Sequence, residues 1–274
     1  MSAPTPDPKA EADYRRILTG DSKELGKFRF LFRHIPSSPR CKLCIAPFEG
    51  PGGAVLRHVG FSRYAGNPAL CNNCITQYRK VGISGVEIPV SLLFADIRGS
   101  TTIGERLSPR DFRAFLDGFY RIASDVVIQH EGIVDKFVGD EVIGLFFGGI
   151  TGADHSKGAI DAAIDLLDRV ERPDATTSGS IPLGAAVHTG EAYVGTTGPA
   201  GVVEDFTALG DVVNTTARLA SAAAAGELLV SIDAATAAGL DLSAVERRRL
   251  DIRGREGTVD VAVVRAATPA ASAT

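Results

Sequence analysis

Ser91-Leu-Leu-Phe-Ala-Asp-Ile-Arg-Gly-Ser-Thr101 is an apolar run that ends on a carboxylate and passes at once into a Gly-Ser-Thr loop. The run up to Phe94 reads as a strand, and Gly99 marks the loop ahead of a helix. Asp96 at that strand end suits a hard cation carrying phosphates. The backbone N–H groups of Gly99, Ser100 and Thr101 add donors for phosphate oxygens. Each signal also has an ordinary counterpart, because acidic residues often end strands and start turns.

Val134-Asp-Lys-Phe-Val-Gly-Asp-Glu-Val-Ile-Gly-Leu-Phe146 reads as a hairpin with Gly139 and Asp140 at its tip. A second carboxylate at a neighbouring turn can share the first cation or hold another, as two-metal phosphoryl-transfer sites do. Lys136 sits among Val134, Phe137 and Val138; it reads either as a solvated edge lysine or as a ligand-facing ammonium. Asn214 and Arg218 stand four apart, so one helical face presents both. An amide beside a guanidinium fits a sugar ring and a phosphate, and fits an ordinary polar helix face as well.

Periodicity sets the fold class. Ser108, Pro109 and Asp111 open a long helix whose stripe is Phe112, Phe115, Leu116, Phe119, Ile122, Ala123, Val126 and Val127. Gly132 is expected to end it. A second helix is expected over 155–170. Residues 181–188 alternate, with a turn expected at Thr189-Gly190 and a return strand over 192–196. The order β, α, β, β, α, β is the ferredoxin-like plan of an α+β fold. A helix over 211–223 and a strand over 259–264 extend it.

The whole chain bounds the setting. Its 274 residues can bury a full core, and 45% hydrophobic with 23% charged residues is globular. A net charge of -4 argues against a nucleic-acid binder, so no nucleic-acid partner is expected. No segment reads as a membrane span or a signal peptide, and a cytoplasmic location without membrane contact is expected. Residues 1–27 read as a disordered Pro/Ala-rich start, to about position 12, followed by a short helix over 14–25. A four-cysteine module (28–80), a linker (81–89), the periodic domain (90–265) and a flexible tail (266–274) follow.

Cys41-Lys-Leu-Cys44 and Cys71-Asn-Asn-Cys74 are two C-x-x-C knuckles holding all four cysteines. Four thiolates suit structural Zn²⁺, and an iron–sulfur cluster or a pair of disulfides are the other readings. His34 and His58 read as surface or packing residues. Arg40, Lys42, Arg57, Arg63, Arg79 and Lys80 read as a solvated basic face, or as a contact for nucleic acid or an acidic partner.

The region from Val90 to Val264 resembles the catalytic domain of class III nucleotidyl cyclases. The resemblance is carried by Phe94-Ala-Asp-Ile-Arg-Gly-Ser-Thr101, Lys136-Phe-Val-Gly-Asp140, Val187-His-Thr-Gly-Glu191 and Leu209-Gly-Asp-Val-Val-Asn-Thr-Thr-Ala-Arg218. It implies that Asp96 and Asp140, with the Ile97 carbonyl, hold two Mg²⁺ or Mn²⁺ ions. It implies that Lys136 and Thr207 read the base, Asn214 orients the ribose and Arg218 stabilises the transition state. It also implies a homodimer, with the metal pair from one subunit and the other four residues from its partner. An ammonium only donates, which suits adenine N1 and conflicts with guanine N1–H, so ATP is the expected substrate and cyclic AMP the product. The alternatives are another nucleotide, GTP or a pyrimidine, or a silent nucleotide-sensing module. The latter predicts erosion of a metal or base-reading position, and none is eroded.

Overall fold

The computed structural model describes residues 7–77, 82–172, 180–198, 204–243, 245–251 and 258–265. The N-terminal elements are α1 (Pro8–Thr19), α2 (Lys23–Phe32), α3 (Gly50–Leu56), β1 (Arg63–Tyr64), β2 (Asn67–Cys71) and α4 (Asn72–Thr76). Then follow β3 (Gly85–Ile97), α5 (Ser100–Arg106), α6 (Pro109–Gln129), β4 (Ile133–Val138), β5 (Glu141–Phe147), α7 (Gly148–Thr151) and α8 (His155–Glu171). The chain continues through β6 (Leu183–Thr197), β7 (Asp205–Leu209), α9 (Asp211–Ala222), β8 (Glu227–Ser231), α10 (Ile232–Ala237), β9 (Glu246–Asp251) and β10 (Thr258–Arg265). Eight strands form one sheet in the order β4-β5-β3-β6-β8-β10-β9, with β7 on β6, while β1 and β2 pair separately. The run β4-β5-β3-β6 is the ferredoxin-like order for a βαββαβ chain, so the expected α+β class is the observed one.

Two compact units divide the chain. One comprises Met1–Val90, Phe147–Ala153 and Glu191–Gly210; the other comprises Ser91–Phe146, Asp154–Gly190 and Asp211–Thr274. The core of the second unit forms where α6 and α8 cover strand residues of alternate parity. Leu93, Ala95, Ile97, Val142, Phe146, Leu183, Ala185 and Val187 join Phe119, Val127, Ala163 and Leu167 in that core. Strand alternation then puts Asp96 on the opposite side from Ala95 and Ile97. Ser108 caps α6 by accepting from the Asp111 N–H at 3.2 Å, with Pro109 in the first turn, as the sequence predicts.

Five expectations differ from the structure. Thr189 and Gly190 do not turn; β6 runs through them as one strand of 15 residues. The Thr189 hydroxyl meets Ser91 Oγ at 2.6 Å and Ser156 Oγ at 3.1 Å, so a polar residue is satisfied inside the sheet. Gly132 is not the left-handed residue after α6; Glu131 is, at φ 58°. Gly132 is needed instead for close packing, since a Cβ there would stand 2.6 Å from the Phe146 ring. Strand β3 begins at Gly85, inside the expected linker. Residues 7–12 are not disordered: Asp7 caps α1, Pro8 opens it and Gly20 ends it in the left-handed conformation. The helix expected over 14–25 is therefore two helices, the second capped by Ser22. The expected flexible tail lies outside the described residues.

Within the first unit, α1 buries Tyr14, Ile17 and Leu18, and its end runs against α7. A Cβ on Gly148 would lie 2.2 Å from the Thr19 carbonyl oxygen, and one on Gly149 2.5 Å from that of Ile17. Arg29 of α2 donates to the carbonyl of Leu43 at 2.7 Å and to that of Gly149. Arg29 thus links the cysteine module to a segment remote in sequence.

Candidate active site and cysteine cluster

Asp96 is the second-to-last residue of β3 and Asp140 occupies the two-residue turn between β4 and β5, where Gly139 takes φ +61°. That conformation suits glycine and the tight hairpin turn. The Ile97 N–H donates to the Asp140 carbonyl at 3.3 Å, which joins the strand end to the turn. The Asp96 carboxyl is pushed up to about 6 by burial, then by a hydrogen bond with the Asp140 carboxyl, against the lowering effect of Arg98. Glu141 is pushed up to about 7 by burial and by the Asp96 and Asp140 charges. Crowded carboxyls with raised proton affinity are a fitting donor set for a hard divalent cation, whose charge reverses that balance.

Sequence reasoning missed three neighbours of this pair. Arg98 pairs with the Asp96 carboxylate, and donates to the Asp96 carbonyl at 3.2 Å and to that of Ser221 at 3.2 Å. Glu141 adds a third carboxyl. Tyr120 of α6 donates its hydroxyl to the Gly139 carbonyl and stacks on Phe137 at 4.2 Å, which fixes the hairpin tip. Adjacency to the two aspartates was the available signal for Arg98 and Glu141; Tyr120 has no such adjacency in sequence.

Lys136 lies on β4 just past an irregularity in the pairing. Val134 faces Gly144 and Lys136 faces Ile143, so Asp135 is the extra residue of a bulge. The Asp135 side chain is 4% exposed and that of Lys136 37%, at 3.9 Å from each other. The bulge shifts the alternation and so selects the face that presents the ammonium. On α9, Val212, Thr215, Thr216 and Leu219 are buried, while Asn214 and Arg218 are exposed and four residues apart on one face, as expected. Gly99 has φ +71° and precedes α5, whose first residues are Ser100 and Thr101. Thr207 is 4% exposed on β7, opposite Gly195 of β6 in the first unit. The other candidate residues of the active site lie in the second unit.

The four cysteines converge in the first unit. The sulfurs of Cys41, Cys44, Cys71 and Cys74 all lie within 4.8 Å of one another, and the four residues are buried. All are free thiols, with Cys44 Sγ and Cys71 Sγ 3.6 Å apart, which is a contact distance and not a bond. The Cys71 N–H donates to Cys41 Sγ at 3.3 Å and the Cys74 N–H to Cys71 Sγ at 3.4 Å. Burial raises the Cys41 thiol, but hydrogen bonds from Cys44, Cys71 and Cys74 outweigh it and hold Cys41 well below its usual range. Cys44 and Cys74 are raised, chiefly by their hydrogen bonds with Cys41. Such a shell favours one thiolate over several when bare, and a cation is what lets all four ionise. His34 and His58 are exposed and outside the cluster. Arg40 corrects the expected solvated face: it donates to the carbonyls of Phe32, Ser37 and Ile45 at 2.9, 2.9 and 3.0 Å, and to that of Ile35.

Comparison with known proteins gives a consistent answer. The family profile described as "Adenylate and Guanylate cyclase catalytic domain" matches residues 86–264. The chain is 32% identical to adenylate cyclase 1 of Rhizobium meliloti over 134 residues, 47% of this chain and 20% of that protein. It is 29% identical to an adenylate cyclase of Anabaena cylindrica over 157 residues, 54% of this chain and 31% of that protein. The chain thus spans a fifth to a third of these curated relatives. Among solved structures, the guanylyl cyclase Cya2 aligns with a TM-score of 0.60 and 26% identity, covering 68% of this chain and 97% of that one. The adenylyl cyclase CyaB from P. aeruginosa aligns at 0.57 and 25%, covering 67% and 97%. No helix among the described residues is long and apolar enough to cross a membrane.

Proposed function

This chain belongs to the adenylate and guanylate cyclase catalytic-domain family, and from that premise we propose that it converts ATP into 3′,5′-cyclic AMP and pyrophosphate at a homodimer interface. The junction of Asp96 with Asp140 carries the reading. These two carboxylates, with the Ile97 carbonyl, would hold Mg²⁺ or Mn²⁺. When bound, the ions supply Lewis-acid activation of the ribose 3′-hydroxyl and neutralise charge on the departing pyrophosphate.

The chain's own residues do the rest. Lys136 donates to adenine N1, and Thr207 adds a second contact to the base. Asn214 fixes the ribose, so that its 3′-oxygen faces the α-phosphorus in line. Arg218 places its guanidinium where charge grows on the phosphoryl oxygens. The N–H groups of Gly99, Ser100 and Thr101 receive phosphate oxygens at the start of α5. In the dimer, one protomer's carboxylates work with its partner's Lys136, Thr207, Asn214 and Arg218. Likeness to a guanylyl cyclase supports GTP as the second reading, because the Thr207 hydroxyl accepts as readily as it donates.

Four converging buried thiols support Zn²⁺ at Cys41, Cys44, Cys71 and Cys74, with an iron–sulfur cluster as the alternative that metal analysis and an absorption spectrum separate. Four reduced cysteines and an ATP substrate suit the cytoplasm. The test of the catalytic reading mixes two dead variants, Asp96→Ala and Arg218→Ala. Random pairing makes half the dimers mixed, each with one intact site of two, so activity returns to about a quarter of wild type. Two variants that stay inactive together, while still exchanging subunits, contradict the shared site.

A further inference from the structure

Tyr64 ends β1, and the other strand of its hairpin closes on Cys71, which pairs with Arg63. The Tyr64 hydroxyl, on a side chain 5% exposed, donates to the Glu204 carboxylate at 3.3 Å. Two residues on, Gly66 meets the backbone of the same partner: a Cβ there would stand 2.3 Å from the Glu204 carbonyl oxygen. Glu204 immediately precedes β7, and Thr207 lies three residues further on, opposite Gly195. Gly195 is gripped in turn, since a Cβ there would come within 2.2 Å of the Ser84 carbonyl oxygen. That oxygen also accepts from the N–H of Thr196 at 2.7 Å and from its hydroxyl at 3.2 Å. All of these residues belong to the first unit.

We propose that the cysteine hairpin positions the β6–β7 hairpin, with Tyr64 and Gly66 as positioning residues that set where Thr207 stands against the nucleotide base. This rests on the reading of Thr207 as a base contact. A polar group that reads a base discriminates only while it is held within a fraction of an ångström, by neighbours that are themselves fixed. Tyr64 supplies a hydrogen bond to a charged acceptor, long at 3.3 Å, that ties its ring to Glu204. Gly66 supplies a backbone stop. Cys71 joins both to the four-thiol cluster, so a cation held there would help fix the hairpin that touches Glu204.

The test uses the full chain and Tyr64→Phe, which keeps the ring and deletes the donor. Amide exchange over 204–209, KM and kcat with ATP and with GTP, and the metal content of the cluster are measured. The expected result is faster exchange in β7, a KM for ATP raised about tenfold, kcat within about twofold and a smaller ATP-over-GTP preference, as loss of one charge-assisted bond implies. Metal content stays at the wild-type level. Gly66→Ala pushes on the same residue from the backbone side and is expected to move exchange and preference in the same direction. Exchange and nucleotide preference that both stay at wild-type values in Tyr64→Phe overturn the proposal. Faster exchange with an unchanged preference in an active enzyme overturns the assignment of Thr207 to the base. A wild-type protein that cyclises no nucleotide overturns the catalytic reading itself.

Discussion

Ile97 donates its backbone N–H to the backbone carbonyl of Asp140 at 3.3 Å, so the strand end and the hairpin tip are tied through main chain as well as through their carboxyls. Neither carboxyl is needed for the main-chain tie. Asp96→Ala and Asp140→Ala are therefore expected to keep the fold and lose the chemistry. Removing one electrostatic contributor is worth ~3–4 kcal/mol, a drop of at least about a hundredfold in turnover. Turnover and thermal melts on the same samples check this; activity within tenfold of wild type contradicts the metal assignment.

Protons compete with metal at this pair. The Asp96 carboxyl is raised to about 6, above its ordinary 3.8, chiefly by burial. Between those values the folded, metal-free chain holds a proton that the unfolded chain does not, so its stability falls as pH rises through the window. Bound Mn²⁺ is expected to cancel that loss above pH ~6, and its affinity is expected to fall as pH drops below ~6. Titration with Mn²⁺ across pH 5 to 8, read by calorimetry, checks the direction. An affinity that is flat across this range contradicts it.

Base choice is expected to follow Lys136. Its ammonium only donates, whereas a carboxylate only accepts and suits guanine N1–H. Lys136→Glu is expected to lower the ATP-over-GTP ratio of kcat/KM by at least about tenfold, since one mispaired polar contact costs ~1–3 kcal/mol. Kinetics with both nucleotides read the ratio directly.

Away from the site, Glu227 predicts the acid limit of the second unit. Arg248 Nη2 meets its carboxylate at 3.1 Å, Arg265 Nη2 at 2.9 Å, and the Ala224 N–H donates at 3.1 Å. The Arg248 hydrogen bond leads these in holding the carboxyl down at about 2, against the opposing effect of burial. The folded state then binds fewer protons than the unfolded, so this stability is whole above ~4.5 and lost as pH falls toward ~2. Glu227→Gln is expected to destabilise by about 1–2 kcal/mol at pH 7, because its arginine partners are solvent-screened, and the gap to wild type closes in acid. Chemical denaturation at pH 7 and at pH ~2 measures both ends.

The sequence made the long helix α6 and the hairpin tip legible, because Ser108-Pro109, Asp111 and Gly139-Asp140 are local signals with local causes. Asn214 and Arg218 were placed on one face by spacing alone. Longer-range effects hid the rest. Thr189-Gly190 looked like a turn until Ser91 of β3 and Ser156 of α8 supplied partners for the Thr189 hydroxyl. The bulge at Asp135, which selects the face of Lys136, has no glycine to announce it. Arg40 looked like surface charge because four backbone carbonyls in a folded loop leave no trace in composition. The link from Tyr64 to Glu204 joins positions that no periodicity relates.

Incubating the purified chain with Mn²⁺ and, separately, ATP, GTP, CTP and UTP, then identifying products by mass, tests the central claim most directly. Cyclic AMP with pyrophosphate from ATP, and little product from the other three, is the predicted result. No cyclic nucleotide from any of the four, from protein that is folded and dimeric, would contradict it.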